Sequence, residues 1–595
     1  MILQSLYQLY ERLRQEKNYR IAPPGYSLQK IVFRVVLHPD GKLHAIEDAR
    51  IKGNHGRLLP HQLQVPGSSH QPGSGFSPLF LWDKPDYMLG YKNDDVNPDR
   101  TTGAFKSFRE RHLARRDEIR SDSYQAVCNF LELWQLVQAS DWPVLQEVGP
   151  GYGVFQIIGQ TGFVHEDPVV QDWWSNSYSE DEESHKGQCL ITGDLAPIAR
   201  LQHKIKKVGS QGESQIVSFN DSAFESYGKS QSFNAPISEA AAFRYATALN
   251  ALLDGPMNYK HRFILGDATV VFWTEKPTNT EDIFAIFAEG KFDLSNQEKA
   301  QDESIRQKIQ LFLKALRRGK KVYPELDRDP DRTKFYLLGL TGQAKGRIGV
   351  RFFYWDNLSK LLDNLRRHYS DISVVRQFDS SSRYPDPEFP TLQQILDETT
   401  PRRQNKPDRK KIPPVLEAPL LKAVIAGTLY PMGLYLAIVR RIHADRQVNY
   451  VRACIIAGYL RRNLKQEVSM CLDRERKEPS YRLGRLFAVL EKVQGEALGK
   501  INAGIRDRFY SSASATPGIA FPRILRTYQH HLGKLPEGLR INRERLVQEI
   551  LAPVKDFPSH LDLAEQGMFA LGYYHQSKEL WTAKTEKSNP EGGKE

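Results

Sequence analysis

The stretch YRLGRLFAVLEKVQGEAL, residues 481–498, decides how the second half of this chain folds. Leu483, Leu486, Phe487, Leu490 and Val493 return every three or four positions, the spacing that lays apolar side chains along one face of an α-helix. Such a stripe needs partners, and the flanking sequence supplies them. Upstream, Asn449 to about Val468 repeats the pattern through Val451, Ile455 and Leu464, and Leu420 to His443 does so with Pro431 placed to kink or split it. Downstream, shorter helices are expected over 504–510, 519–532, 542–551 and 562–570. Amphipathic helices so closely spaced predict a helical bundle, here 418–576, with 577–595 as a flexible tail.

Ahead of the bundle the pattern changes. The tract 381–417 has few long apolar runs and is strong in Pro, Arg and Lys, so it reads as a linker. Before it, ATVVFWT (268–274) is dense in β-formers and reads as a buried strand. Further strands are expected at 334–339 and 348–353, and helices at 238–253, 305–317 and 358–368. Nearer the N-terminus come a helix over 1–17, strands at 30–37 and 42–46 around the His38-Pro39-Asp40-Gly41 turn, and helices at 103–116 and 121–138. A hairpin is expected from 151–159 and 162–165. Gly53 to Pro78 is rich in Gly, Pro, Ser and His, too polar for a core strand, and reads as a long exposed loop. The fold class is α+β: a mixed N-terminal part containing α/β elements, divided into 1–180 and 181–380, then the bundle.

With 595 residues, 40% apolar and 26% charged, the chain has material for several cores and is not globally disordered. Four scattered cysteines (Cys128, Cys189, Cys454, Cys471) argue for a reducing compartment. The absence of a secretory pattern and of a long apolar run makes a cytoplasmic protein without a membrane partner the expectation. The formal charge of +12 is uneven: residues 401–595 hold 34 Lys/Arg against 20 Asp/Glu, the rest 49 against 51. Such asymmetry suggests that the C-terminal third meets a polyanion.

Metal-dependent hydrolysis needs clustered carboxylates. Asp267, with Glu275 beyond the same strand, is the one suggestive acid, and it equally suits a turn cap. His165, His185, Cys189 and His203 match no tight zinc spacing, and neither GPGYG (149–153) nor GQAKG (342–346) completes a nucleotide fingerprint. No catalytic residue, metal or cofactor is expected. Nucleic-acid features are stronger. Lys204, Lys206 and Lys207 alternate around Ile205 before a flexible GSQG stretch, a rim that suits phosphate contact and also an ordinary solvated edge. In the helical part Arg440, Arg441, Arg452, Arg461, Arg462 and Lys465 recur, and Arg485, Arg523 and Arg526 extend the series as candidates to track a nucleic-acid backbone. The loop VPGSSHQPGSGF (65–76) offers Ser68, Ser69, His70, Gln71 and Ser74 as donors and acceptors on pliant backbone, an inventory suited to limited reading in a groove and common also in inert loops.

Taken in order, several segments resemble one family. They are MILQSLYQLY (1–10), APPGY (22–26), HEDP (165–168), CLITGDLAPIARLQHKIKKVGSQG (189–212), SFNDSAFESYGKSQSFNAP (218–236), GDATVVFW (266–273), YLRRNLKQEVSMCLD (459–473), SASATPGIAFPRIL (512–525) and GYYHQ (572–576). The series is similar to the large subunit of the type I-C CRISPR surveillance complex, Cascade. The resemblance implies a non-catalytic subunit of an RNA-guided antiviral assembly. A guide RNA and repeated backbone subunits read the target by pairing. The large subunit, beside the guide's 5′ handle and with the handle-binding subunit among its partners, recognises the target-adjacent motif (PAM) in double-stranded DNA, aids duplex opening into an R-loop and holds the displaced strand for a separate, transiently bound helicase-nuclease. It also implies a C-terminal part like the small subunits, suggests an internal translation start at Met470, and gives more weight to motif reading by the 65–76 loop, an assignment that rests on that loop's own chemistry. The rivals are a standalone metal-dependent nuclease using Asp267, and a basic scaffold for RNA or protein.

Overall fold

The strand Tyr26–Leu37 (YSLQKIVFRVVL) organises the first half: Ile31, Phe33 and Val35 are fully buried while Lys30 is exposed. The computed structural model describes residues 1–52, 58–67, 75–179, 185–206, 208, 214–219, 221–278, 280–289, 331–343, 347–378, 382, 384–388, 390–404, 406–499 and 502–585. The expected helix at 305–317, the acidic run 180–183 and most of GQAKG lie outside them. The chain forms two compact units, Met1–Lys206 with Glu213–Met257, and Asn258–Glu595 with Lys207–Gly212.

In the first unit, Leu43–Asp48 and His61–Pro66 both pair antiparallel with Tyr26–Leu37, along its C-terminal and N-terminal halves. The first pairing turns at Gly41, whose φ of +90° suits glycine and where a Cβ would collide with Asn129. Tyr152–Ile157 runs parallel to the central strand, and Trp82–Asp83 pairs antiparallel with Tyr152–Ile157. Two expectations are corrected here. The polar stretch 53–78 contains a true strand, because Leu63 and Val65 alternate inward behind His61, Gln62 and Gln64. The 151–159 segment is not half of a local hairpin: it pairs with a strand more than a hundred residues earlier, and Val164–Glu166 is a single 3-10 turn. Helices Pro98–Leu113 and Asp122–Leu133 contribute Phe105, Phe108, Val127 and Leu131 to the core that contains Phe33 and Phe155. Ile2–Gln15 packs on Glu239–Asp254 through Tyr10 and Phe243, rings 5.9 Å apart, and Arg244 pairs with Glu11 at 2.9 Å. Ser238 caps the latter helix, its hydroxyl accepting from the Ala241 amide.

The second unit opens on an antiparallel sheet whose four strands, Arg262–Leu265, Ala268–Thr274, Lys334–Gln343 and Arg347–Asn357, pair in sequence order. Every residue of Ala268–Thr274 is buried, as ATVVFWT implied. The helical bundle follows, so the α+β expectation holds. Pro431 does split its segment, into Glu417–Ile425 and Met432–Asp445. The 381–417 stretch is more than a linker. Leu392–Asp397 is a helix with a Thr391/Gln394 capping box, and Leu392, Ile395 and Leu396 belong to the bundle's core. Likewise the last helix, Leu563–Thr585, runs well past 576 with Leu580 buried. It meets Pro479–Leu498 backbone to backbone: a Cβ on Gly484 would strike the Phe569 carbonyl, and one on Gly572 the Tyr481 carbonyl.

Candidate nucleic-acid interface

The arginines of the bundle divide by helical phase. Tyr450–Arg462 starts at Asn449, whose side chain accepts from the Arg452 amide, and is buried on nearly every side. Arg452 is therefore drawn inward. Its guanidinium donates to Glu398 at 2.8 Å, Asp445 at 2.6 Å and the Gln447 carbonyl at 2.9 Å. Arg462, 1% exposed, donates to Asp371 at 2.6 Å and to the Ala423 and Thr428 carbonyls at 2.6 and 3.1 Å, and lies over the Tyr430 ring at 4.2 Å. Arg485 sits inside the Pro479–Leu498 contact with Gln576 at 3.0 Å and Glu549 at 3.3 Å. The sequence placed all three on a nucleic-acid path. The structure corrects this, because a phosphate reaches none of them without opening the bundle.

Arg461 and Arg441 are intermediate. Arg461 donates to the Asp371, Ser373 and Val468 carbonyls at 2.6, 2.9 and 2.7 Å, and burial lowers its pKa. Arg441 pairs with Asp445 on its own helix. Arg440, Lys465, Arg523 and Arg526 are exposed and form no ion pair among the described residues. In Pro517–Leu532, Phe521, Ile524 and Tyr528 face the core, and the opposite side carries Arg523, Arg526 and His530, continued by Lys534 past the helix end. None of these four meets a carboxylate among the described residues. The sequence HHLGK (530–534) already suggests solvent-facing or phosphate-contacting histidines at a helix end, and the i, i+3, i+7, i+11 spacing from Arg523 places His530 and Lys534 on the same face as the two arginines. His531 is turned inward, so His530 alone of these two neighbouring histidines joins that face.

In the first unit, the backbone at Lys204 and Lys206 is clamped by one side chain. Asn250 donates to the Lys204 carbonyl at 2.9 Å and accepts from the Lys206 amide at 2.8 Å, with Ile205 buried between. Lys207, and Ser68, Ser69, His70, Gln71 and Ser74, lie outside the described residues. Both stems of that loop are held: Trp82 donates its indole N–H to the Pro66 carbonyl at 2.7 Å, Gly67 donates to Gly25 at 2.7 Å, and Arg111 donates to the Pro78 carbonyl at 2.5 Å.

The profile of the CRISPR-associated protein family Cas_Csd1 matches residues 6–581. The chain belongs to that family. No curated protein matches it. In this Cas_Csd1 chain the match takes in both units, from the first helix to the end of the bundle.

The Cas_Csd1 chain keeps its metal-type residues apart. Asp267 is exposed and pairs with Arg351 at 3.2 Å, while burial, and secondarily Asp267, raises the Glu417 carboxyl. Cys189 is buried. Burial pushes its thiol up, but hydrogen bonds from Ser238, Thr192 and Ile191 outweigh this and bring it down to about 7. His203 packs edge-on against Phe243, and His165 is stacked on Phe163. Among the described residues no three His, Cys, Asp or Glu side chains group to hold a metal ion.

Proposed function

We propose that this Cas_Csd1 protein is the non-catalytic large subunit of a type I-C RNA-guided DNA-surveillance complex. It recognises the target-adjacent motif, aids duplex opening and holds the separated strands for a helicase-nuclease that arrives separately. The guide RNA, the backbone, handle-binding and small subunits, and target DNA are its partners, and the cytoplasm is its compartment. The observation that carries the reading, beside family membership, is the cationic face of Pro517–Leu532, which meets no carboxylate among the described residues. Cations on a rigid helix without local counter-charges attract phosphates and release counterions from the nucleic acid. The 65–76 loop is the motif reader: it leaves the end of the strand His61–Pro66, and Trp82, Gly25 and Arg111 hold the described residues on either side of it.

The test reverses Arg523 and Arg526 to Glu in the assembled, guide-loaded complex. Affinity is expected to fall for every DNA sequence, and the slope of log affinity against log salt to shrink by roughly one unit per lost phosphate contact. An unchanged slope removes this helix from the path. Loss of discrimination between correct and altered motifs with an unchanged slope is the result expected instead from changes at Gln71.

Met470 is exposed in the connection between Tyr450–Arg462 and Pro479–Leu498, so a chain begun there keeps five whole helices and the Gly484–Gly572 contact. The native coding sequence is expected to yield this fragment beside the full chain. Mass spectrometry of a fully occupied complex without it refutes the internal start.

A further inference from the structure

The segment 221–234 forms a short finger whose first ten residues, Asp221–Ser230, are all exposed. At its tip Tyr227 (φ +53°) and Gly228 (φ +70°) make a two-residue turn of the mirror-image hairpin type, closed by the Lys229 amide donating to the Ser226 carbonyl at 3.0 Å. That turn favours Asn or Asp at the first central position; a bulky aromatic in the left-handed region is uncommon and costs free energy. The finger is braced to hold it. Asn234 accepts from the Ser226 amide at 2.9 Å and donates to the Lys229 and Gln231 carbonyls at 2.8 and 3.0 Å. Arg200 donates to the Gln231 side chain at 3.0 Å, and Phe233 packs on His185 with ring centroids 5.0 Å apart. The ring so displayed is 97% exposed and makes no ring contact or side-chain hydrogen bond among the described residues. Strain held in place by its surroundings, with no structural return, marks positions kept for an external contact.

We infer that Tyr227 is a stacking platform for an unpaired nucleobase, with Lys229 beside it to meet the adjoining phosphate. The inference rests on the nucleic-acid-binding reading above and deepens it. A protein anchor would be set in a surrounding apolar patch. Here the immediate neighbours are Ser226, Gly228, Lys229 and Ser230, and Phe224 is the nearest exposed apolar side chain along the chain. A ring flanked along the chain by hydroxyls and an ammonium suits the face of a base, which carries its own polar edges and an anionic linkage. Asp221 caps the Ala223 amide and Glu225 accepts from the Gln231 amide, so both carboxylates act inside the finger.

The test compares Tyr227→Phe, Tyr227→Ala and Tyr227→Asn in the full-length chain within the assembled complex. Two probes are used: target DNA with an unpaired stretch, and the same DNA with the bases removed from that stretch. Asn suits the turn better than Tyr, so that variant keeps the finger while removing the ring. Wild type and Tyr227→Phe are expected to bind the intact probe alike, and the Ala and Asn variants to bind it roughly 10- to 100-fold more weakly. On the base-free probe all four should be equal. Equal binding of wild type and Tyr227→Asn to the intact probe overturns the inference while leaving the function standing. A loss that persists on the base-free probe overturns stacking in favour of another contact, a protein partner included. If the wild-type complex binds neither probe, both readings fall.

Discussion

Arg462→Ala is expected to destabilise the second unit by about 3–5 kcal/mol, the range for removing one member of a buried ion pair. The substitution leaves the Asp371 carboxylate with Arg367, at 3.9 Å, as its remaining ion-pair partner among the described residues, takes the donor from the Ala423 and Thr428 carbonyls, and opens a void beneath Tyr430. Arg462→Met restores volume without the charge and should recover part of the loss through packing alone. Equilibrium urea unfolding followed by circular dichroism reads both. The result also separates two meanings of a basic residue. Any fall in DNA affinity on altering Arg462 should track loss of folded protein, whereas Arg523 and Arg526 variants should stay folded and lose affinity. A stable Arg462→Ala protein with weakened, less salt-sensitive binding would return that residue to the nucleic-acid path.

The second large effect is acid lability. Burial holds His112 and His368 down to about 3 and His165 and His575 down to about 4, so all four are neutral in the folded chain at neutral pH. In the unfolded chain they titrate near the ordinary 6.5. A lowered folded pKa gives stability that is complete above 6.5 and is lost as pH falls toward the folded value, because the unfolded state takes up the proton first. At pH 5 each site contributes a loss of about 2 kcal/mol. Each unit carries two such histidines, and in the second unit the burial-raised carboxyls of Asp282 and Glu417 offset part of the loss. His112 is the sharpest test. One ring nitrogen donates to the Phe108 carbonyl at 2.7 Å, and the other accepts at 2.9 Å from the amide of Leu81, a buried residue with φ of +63°. His112→Gln, whose amide can still donate and accept, should lose about 2 kcal/mol less than wild type between pH 7 and pH 5. Urea midpoints at the two pH values that change equally in both proteins would refute the assignment.

How much of this the sequence discloses depends on which physical signal each residue carries. The stripe in 481–498 and the run ATVVFWT were legible because burial there is respectively one-sided and total, and both leave a clean pattern. His61–Pro66 was not, since half its residues are polar and its partner strand lies far back in the chain. Leu563–Thr585 was read short because Gly567–Gln576 is buried on all sides, which erases the periodicity that marks a helix. For the site, the sign of the charge was visible and its destination was not. Helical phase held part of the answer. Arg485 shares a face with Tyr481 and Val489, both buried, whereas Arg526 shares its face with Arg523 and His530, both exposed. The finger at 221–234 gave little warning, because an aromatic before a glycine looks ordinary until its backbone angles are known.

Where Gly484 and Gly572 let two helices touch main chain to main chain, no pliant layer of side chains lies between them. Side-chain padding would let the pair slip or roll under load; bare peptide groups mesh like cogs and resist both. Pro517–Leu532 packs on one of those helices, so a pull applied to its arginines passes into the whole bundle rather than being dissipated at the surface. Under the proposed function, in which two DNA strands are kept apart against their tendency to reanneal, such an unyielding mount is an advantage.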